Sequence, residues 1–132
     1  MTGAPTLRVL DSSVWIEHLT AGPRSERCAG LFDDPAAIVV PAVVIYEVGR
    51  YVGRTSGDEI LEEVLAHLTE CSVEPLDAEI ATLAIEVAAE HKIPMADALI
   101  AATAQHTGAT LFSFDADLLG LPGTVEPIDL DA

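Results

Sequence analysis

Four carboxylic acids of this sequence stand where acids are unexpected. Asp11 and Asp115 each follow a short apolar stretch, and Glu47 and Asp97 each lie within an apolar helical stretch. Burying a carboxylate costs free energy unless it is paired or bound to a cation. Carboxylate oxygens suit Mg²⁺ or Mn²⁺, which bind a few of them and keep water molecules as further ligands. The four acids together therefore predict a divalent-metal site.

The chemistry that such a site favours is phosphodiester hydrolysis, because a bound divalent cation can deprotonate water and offset the charge of a phosphate. A zinc site is not favoured, since His18, His67, His91 and His106 show neither an HExxH nor a Cys-flanked spacing. The sequence also contains no Gly-rich phosphate loop and no GxSxG motif. The acids are thus the main chemical signal.

Each acid taken alone also has an ordinary structural explanation. Asp11 could cap the helix that follows it, and Glu47 could pair with Arg50 one helical turn away or with Tyr51. Asp97 could stabilise the positive end of its helix, and Asp115 could cap a turn. The prediction of a site therefore rests on the set of four.

The elements that must position these acids alternate along the chain. The predicted strands cover residues 7–10, 38–40, 71–73 and 110–113, with a final edge strand over 125–128. The predicted helices cover residues 14–19, 25–32, 41–53, 58–68, 77–92, 94–107 and 115–119. This alternation predicts an α/β fold, a three-layer α/β/α domain with a short parallel sheet, and the length suits a single domain over 1–132.

The predicted sheet would bring two of the acids together. Ligands of open parallel sheets gather at the carboxyl ends of the strands, and both Asp11 and Asp115 come just after such an end. Asp97 falls in the first turn of the helix that begins near Pro94. Glu47 is the one acid in its apolar stretch.

The charge of the chain limits how it can bind nucleic acid. Six Lys and Arg against 22 Asp and Glu give a net charge of −16, which argues against nonspecific nucleic-acid binding through the bare surface. Chemistry on a nucleic acid would need a bound metal, a local patch around Arg50 and Arg54, or transient contact. So acidic a surface also favours a basic protein partner.

The hydropathy of the chain indicates a covered surface and no membrane span. Half of the residues are hydrophobic and the mean hydropathy is +0.38, which favours a homodimer. The longest apolar run, interrupted by Pro41, is about half the length needed to span a bilayer. No secretory signal is indicated, and Cys28 and Cys71 show no paired spacing, so a cytoplasmic protein with reduced thiols is expected.

Four segments of the sequence carry a resemblance to a known family. They are Leu-Asp-Ser-Ser at 10–13, Glu47 after Pro41, Pro-Met-Ala-Asp-Ala-Leu-Ile-Ala-Ala-Thr-Ala at 94–104, and Leu-Phe-Ser-Phe-Asp-Ala-Asp at 111–117. In this order they resemble a PIN-domain ribonuclease, in particular a VapC-type toxin of a toxin–antitoxin pair. The resemblance implies a Mg²⁺- or Mn²⁺-dependent endoribonuclease that cleaves RNA, forms a homodimer and is inhibited by a cognate antitoxin.

The resemblance also implies roles for the acids. Asp11 and Asp97 match the acids that hold the metal, and Asp115 completes the cluster. Glu47 matches an acid that binds the metal directly or through water and polarises the attacking water. Asp117 is an additional acid, either a further ligand or a solvated residue at a helix start.

Three further positions near the acids complete the comparison with the family. Ser12 and Ser113 match hydroxyl positions that could hydrogen-bond carboxylates or metal-bound water. Phe114 stands where many relatives carry Asn or Arg, so a polar role is not expected at that position. Two other functions stay open: a housekeeping PIN nuclease in RNA processing, and a non-catalytic module that binds a structural ion or a basic peptide.

Overall fold

A parallel sheet of four short strands forms the centre of the protein. The computed structural model describes residues 6–128. In it the strands are β1 (Arg8–Leu10), β2 (Ile38–Pro41), β3 (Ser72–Glu74) and β4 (Thr110–Phe112). Their order in the sheet is β3-β2-β1-β4, and all three neighbouring pairs are parallel. The parallel sheet that the sequence predicts is thereby confirmed.

Helices cover the sheet and complete three α/β/α layers. They are α1 (Ser12–Leu19), α2 (Ser25–Cys28), α3 (Ala42–Ser56), α4 (Asp58–Glu70), α5 (Ala78–His91), α6 (Met95–Thr107) and α7 (Ala116–Leu119). Two short 3-10 turns, Ala29–Phe32 and Pro35–Ala37, lead from α2 into β2. Helix α6 packs on β1, β2 and β4, while α1, α3 and α4 contact β1, β2 and β3 respectively.

Helix α6 is the central helix of the domain. Most of its residues from Ala98 to Ala104 are buried, among them Ile100, Ala101 and Ala102. Alanine has no side chain beyond Cβ, so the backbone of α6 can come close to the strands it covers. Helix α5 packs against α6 on its other side. The sequence prediction of a central, buried helix at this position is confirmed.

The ends of the helices follow local signals in the sequence. The Asp77 side chain caps α5 by accepting a hydrogen bond of 3.0 Å from the backbone N–H of Ile80. Helix α3 runs three residues further than residue 53, where the sequence predicts its end, and Gly57 separates it from α4. The φ of Gly57 is 84°, a left-handed conformation that favours glycine.

The predicted edge strand over residues 125–128 is wrong. Only Val125 pairs with β4, through an isolated parallel bridge to Phe112. The Val125 N–H donates to Leu111 at 2.8 Å, and its carbonyl accepts from the Ser113 N–H at 3.0 Å. The next donor of a parallel ladder would be residue 127, which is Pro127 and has no N–H.

The cysteines and the lengths of the helices bear on two further expectations. Cys28 is buried and Cys71 is half-buried, and both are free thiols. No helix within residues 6–128 combines the length and the apolar character that crossing a membrane requires.

Candidate active site

The four acids of the sequence prediction meet at the carboxyl end of the sheet. Asp11 follows β1 and Asp115 lies three residues past β4, two strands that pair with Leu10 beside Phe112. Asp97 lies in the first turn of α6, and Glu47 lies in α3. The backbone N–H of Asp11 donates to the Phe112 carbonyl at 3.0 Å, which ties the two strand ends together.

Three carboxylates form the tightest group. One oxygen from each of Asp97, Asp115 and Asp117 lies within 4.8 Å of the other two. Asp97 and Asp115 are half-buried, and Asp117 is exposed. Within residues 6–128 this is the only such group of His, Cys, Asp or Glu side chains. Asp117, which the sequence left undecided, therefore belongs to the cluster, whereas Asp11 and Glu47 stand outside this trio.

Asp11 is held by hydroxyl groups. Its side chain is only 3% exposed. The hydroxyls of Ser13 and Ser113 both donate to Asp11 Oδ2 at 2.7 Å, and the Ser12 hydroxyl lies 3.2 Å from Oδ1. Asp11 is also the N-cap residue of α1, yet its carboxylate makes no capping hydrogen bond. The alternative explanation of Asp11 as a side-chain cap is therefore wrong.

The same hydroxyls organise the segment that carries the other acids. Ser113 is fully buried, and its oxygen accepts a hydrogen bond of 2.9 Å from the Asp115 N–H. The Ser13 oxygen accepts one of 3.1 Å from the Phe114 N–H. The serines thus fix the backbone of residues 113–115 relative to Asp11.

Glu47 is linked to Asp11 through one shared hydroxyl. Ser12 Oγ lies 2.9 Å from Glu47 Oε1 as well as 3.2 Å from Asp11 Oδ1. Burial raises the pKa of Glu47, the Ser12 hydrogen bond lowers it, and the nearby charges of Asp11 and Asp115 raise it again. No pairing of Glu47 with Arg50 occurs in the described part of the chain. The alternative of a helical ion pair is therefore wrong.

Asp97 is the acid most affected by its surroundings. Its pKa is raised to about 7, first by burial and then by the charges of Asp115, Asp11, Asp117 and Glu47. The other four acids are therefore close enough to Asp97 to raise its pKa. A carboxyl group with these neighbours resists ionisation unless a cation is present.

A scan against protein-family models decides the family. The PIN domain model matches residues 8–123, which is most of the chain. The chain belongs to the PIN-domain family. This confirms the family resemblance and the fold that the sequence motifs imply.

Solved structures similar to this PIN domain agree on the fold. A toxin–antitoxin complex from Klebsiella pneumoniae has a TM-score of 0.76 at 23% identity, over 93% of this chain and 99% of that one. VapC20 from Mycobacterium tuberculosis, a sarcin–ricin loop cleaving toxin, has a TM-score of 0.76 at 22% identity, over 91% and 99%. DNA-bound VapBC from Salmonella typhimurium has a TM-score of 0.77 at 15% identity, over 93% and 99%. No curated protein sequence gave a significant match.

The residues of this PIN domain fit a hard divalent cation. The donors are all carboxylate oxygens, the ligand type that Mg²⁺ and Mn²⁺ prefer. Three of them lie within 4.8 Å of one another, and burial followed by the neighbouring acids raises the pKa of Asp97, a cost of ionisation that a cation would reduce. Asp115 takes part while also capping α7, since its Oδ1 accepts from the Asp117 N–H at 2.8 Å. Its structural explanation and its site role are therefore compatible.

One residue of the site was missed at the sequence level. The sequence assigns no site role to Ser13, yet its hydroxyl bridges the Asp11 carboxylate and the Phe114 backbone. The signal in the sequence was the pair of consecutive serines directly after a buried acid. Two hydroxyls in a row are more than one cap requires.

Proposed function

We propose that this PIN domain is the toxin of a toxin–antitoxin pair and acts as a Mg²⁺- or Mn²⁺-dependent endoribonuclease. The observation that carries the proposal is the trio of Asp97, Asp115 and Asp117, with Asp11 and Glu47 close enough to raise the pKa of Asp97. The similar structures support it, since they include a toxin–antitoxin complex and a toxin that cleaves the sarcin–ricin loop.

The proposed metal ligands are Asp11, Asp97 and Asp115, with Asp117 as a fourth carboxylate. Asp97 and Asp115 stand first, because their oxygens lie together and are partly open to solvent. Asp11 Oδ2 accepts the hydroxyls of Ser13 and Ser113, while the single Ser12 proton is shared between Asp11 Oδ1 and Glu47 Oε1. It therefore has room for a single direct bond or for a bridging water.

The bound cation would supply Lewis acidity, lowering the pKa of a coordinated water and offsetting charge on the scissile phosphate. Glu47 is the proposed general base. Ser12 holds Glu47 Oε1 at 2.9 Å, and Oε2 has no hydrogen-bond donor within residues 6–128. Oε2 takes a proton from the attacking water, whose oxygen bonds to phosphorus while the opposite P–O bond breaks. The departing oxygen then takes a proton from solvent.

The partners and the location belong to the same proposal. RNA is the substrate, and a cognate antitoxin with a basic segment is the inhibitor, since a chain of charge −16 attracts cationic peptides. A homodimer would cover exposed apolar side chains such as Tyr46, Ile85 and Met95, which are at least 66% exposed. The protein would act in the cytoplasm, where it would encounter both the substrate RNA and the antitoxin.

The test compares Asp97→Asn with Asp58→Asn. Both acids lie in the first turn of a helix, but Asp58 is exposed at the start of α4 and outside the cluster. Total RNA is incubated with purified protein and Mg²⁺, and the new RNA ends are sequenced. We expect wild type and Asp58→Asn to cleave alike and Asp97→Asn to lose at least about 100-fold in rate.

Other results would identify the alternatives. Metal binding without cleavage by the wild-type protein would indicate a non-catalytic binding module and overturn the proposal. Cleavage without growth arrest on expression, or arrest that Asp97→Asn leaves intact, would contradict the toxin assignment. The first of these two results would favour a housekeeping nuclease in RNA processing.

A further inference from the structure

Arg24 stacks on Phe114, which lies between Ser113 and Asp115 in a very acidic protein. We infer that the Arg24 guanidinium binds a phosphate of single-stranded RNA next to the scissile bond, an inference that rests on the proposed ribonuclease function. Arg24 is thus a substrate-positioning residue, and its ligand is a backbone phosphate.

The position of Arg24 is set by Phe114. The Arg24 Cζ atom lies 4.0 Å from the centre of the Phe114 ring, a cation–π contact. Phe114 stands between Ser113 and Asp115, and its N–H is bound by Ser13, which donates to Asp11. The guanidinium is therefore stacked on a residue whose backbone is part of the acid site.

Glu17 holds the arginine from the other side. Its Oε1 accepts hydrogen bonds from the Arg24 backbone N–H at 2.7 Å and from Nε at 3.3 Å. The Glu17 side chain is only 13% exposed, whereas that of Arg24 is 42% exposed. Within residues 6–128 the terminal nitrogens of Arg24 have no hydrogen-bond acceptor. Two N–H groups in this geometry are what a phosphate binds in bidentate fashion.

The turn between Glu17 and Arg24 brings Gly22 against the Glu17 carboxylate. A Cβ atom at Gly22 would lie 2.7 Å from Cδ and Oε2 of Glu17 and 2.9 Å from Oε1. The Gly22 N–H also donates to the Glu17 carbonyl at 2.9 Å. Backbone N–H groups at both Gly22 and Arg24 therefore bind Glu17, so the turn itself holds the Glu17 carboxylate next to Arg24.

The other cations of the chain are placed differently. The full set is Arg8, Arg24, Arg27, Arg50, Arg54 and Lys92. Arg8 donates to the Leu31 carbonyl, and Lys92 ends α5. Within the described residues Arg24 alone makes a cation–π contact or an ion pair that adjoins residues 113–117. Arg24 is thus the cation that these contacts tie to the segment carrying Asp115 and Asp117.

The test compares Arg24→Gln with Arg27→Gln, since Arg27 is an exposed arginine of α2 without these contacts. Cleavage of a random-sequence single-stranded RNA pool is measured with Mg²⁺ at several RNA and salt concentrations. We expect Arg24→Gln to raise KM about tenfold with kcat changed less than about twofold. The slope of log affinity against log salt should fall by about 0.7, the value of one single-strand phosphate contact. Arg27→Gln should change neither quantity.

Two more variants separate phosphate binding from a structural role. Arg24→Lys keeps the charge and should restore the salt slope, but only part of KM, because lysine lacks the planar fork. Phe114→Leu should raise KM by releasing the guanidinium. If wild type cleaves RNA and Arg24→Gln has the same KM and salt slope as wild type, this inference is overturned. The proposed function is unaffected by that result. Absence of cleavage by wild type would overturn the proposed function, and the inference with it.

Discussion

Asp11 and Asp97 belong to the same site but meet the cost of burial in opposite ways. Asp11 is 3% exposed, accepts hydrogen bonds from the hydroxyls of Ser13 and Ser113, and shares the Ser12 hydroxyl with Glu47. Asp97 is half-buried, has no hydrogen-bond donor within residues 6–128, and has its pKa raised to about 7. Serine hydroxyls donate hydrogen bonds to the Asp11 carboxylate, whereas the Asp97 carboxylate lies among other acids and receives none from the described residues.

This difference shows which half of the site is complete in the fold. Buried carboxylates are tolerated where donors replace water, and Ser12, Ser13 and Ser113 do this for Asp11. The α6 side lacks such donors, so its charge must be balanced from outside, by a divalent cation or by an arginine of a partner. The serine side therefore supports the fold, while the Asp97 side is arranged for a cation.

The largest expected effect is an opposite change in stability on neutralising each acid. Asp11→Asn should lower the free energy of unfolding by about 1–3 kcal/mol, because serine hydroxyls lose their charged acceptor. Asp97→Asn should raise it in metal-free protein at neutral pH, because a repelled charge is removed. Urea unfolding in the presence of a chelator measures both. Destabilisation by both substitutions would contradict the comparison.

A second effect concerns pH and metal. Burial and the neighbouring acids raise the Asp97 pKa from its usual 3.8 to about 7 in the fold, so between these pH values the folded state binds a proton that the unfolded state has lost. The stability of metal-free protein should therefore fall as pH rises from about 5 to about 7. Mg²⁺ binds the ionised form and should reverse this trend, as seen in unfolding curves at each pH. Asp97→Asn is the control, and an equally strong pH dependence in that variant would assign the effect to other groups.

The smallest expected effect concerns Ser12, whose hydroxyl links Asp11 and Glu47. The Ser12 hydrogen bond lowers the pKa of Glu47, so Ser12→Ala should raise it. Since the proposed base acts when ionised, the acid limb of the kcat/KM profile should move to higher pH. The exposed Ser72, replaced by alanine, is the matched control. An unmoved acid limb in Ser12→Ala would show that Glu47 is not the base.

The sequence predicted the parts of the site that depend on local position. Asp97 in a first helical turn and Asp115 after a strand follow from Pro94 and from the apolar segment before it. The serine shell around Asp11 could not be read in full, because Ser113 reaches Asp11 across 102 residues of chain. The predicted last strand failed for a local reason, the missing N–H of Pro127.

The contact between Ser113 and Asp11 also sets an order of events during protein synthesis. The two residues are 102 positions apart, and the later one lies on the segment that carries Asp115 and Asp117. A nascent chain released as far as α5 has Asp11 and Glu47 outside the ribosome but lacks the hydroxyl and the acids that complete the cluster. No amino-terminal fragment ending before residue 113 can assemble the site, so the site can form only after the chain has been synthesised through Asp117.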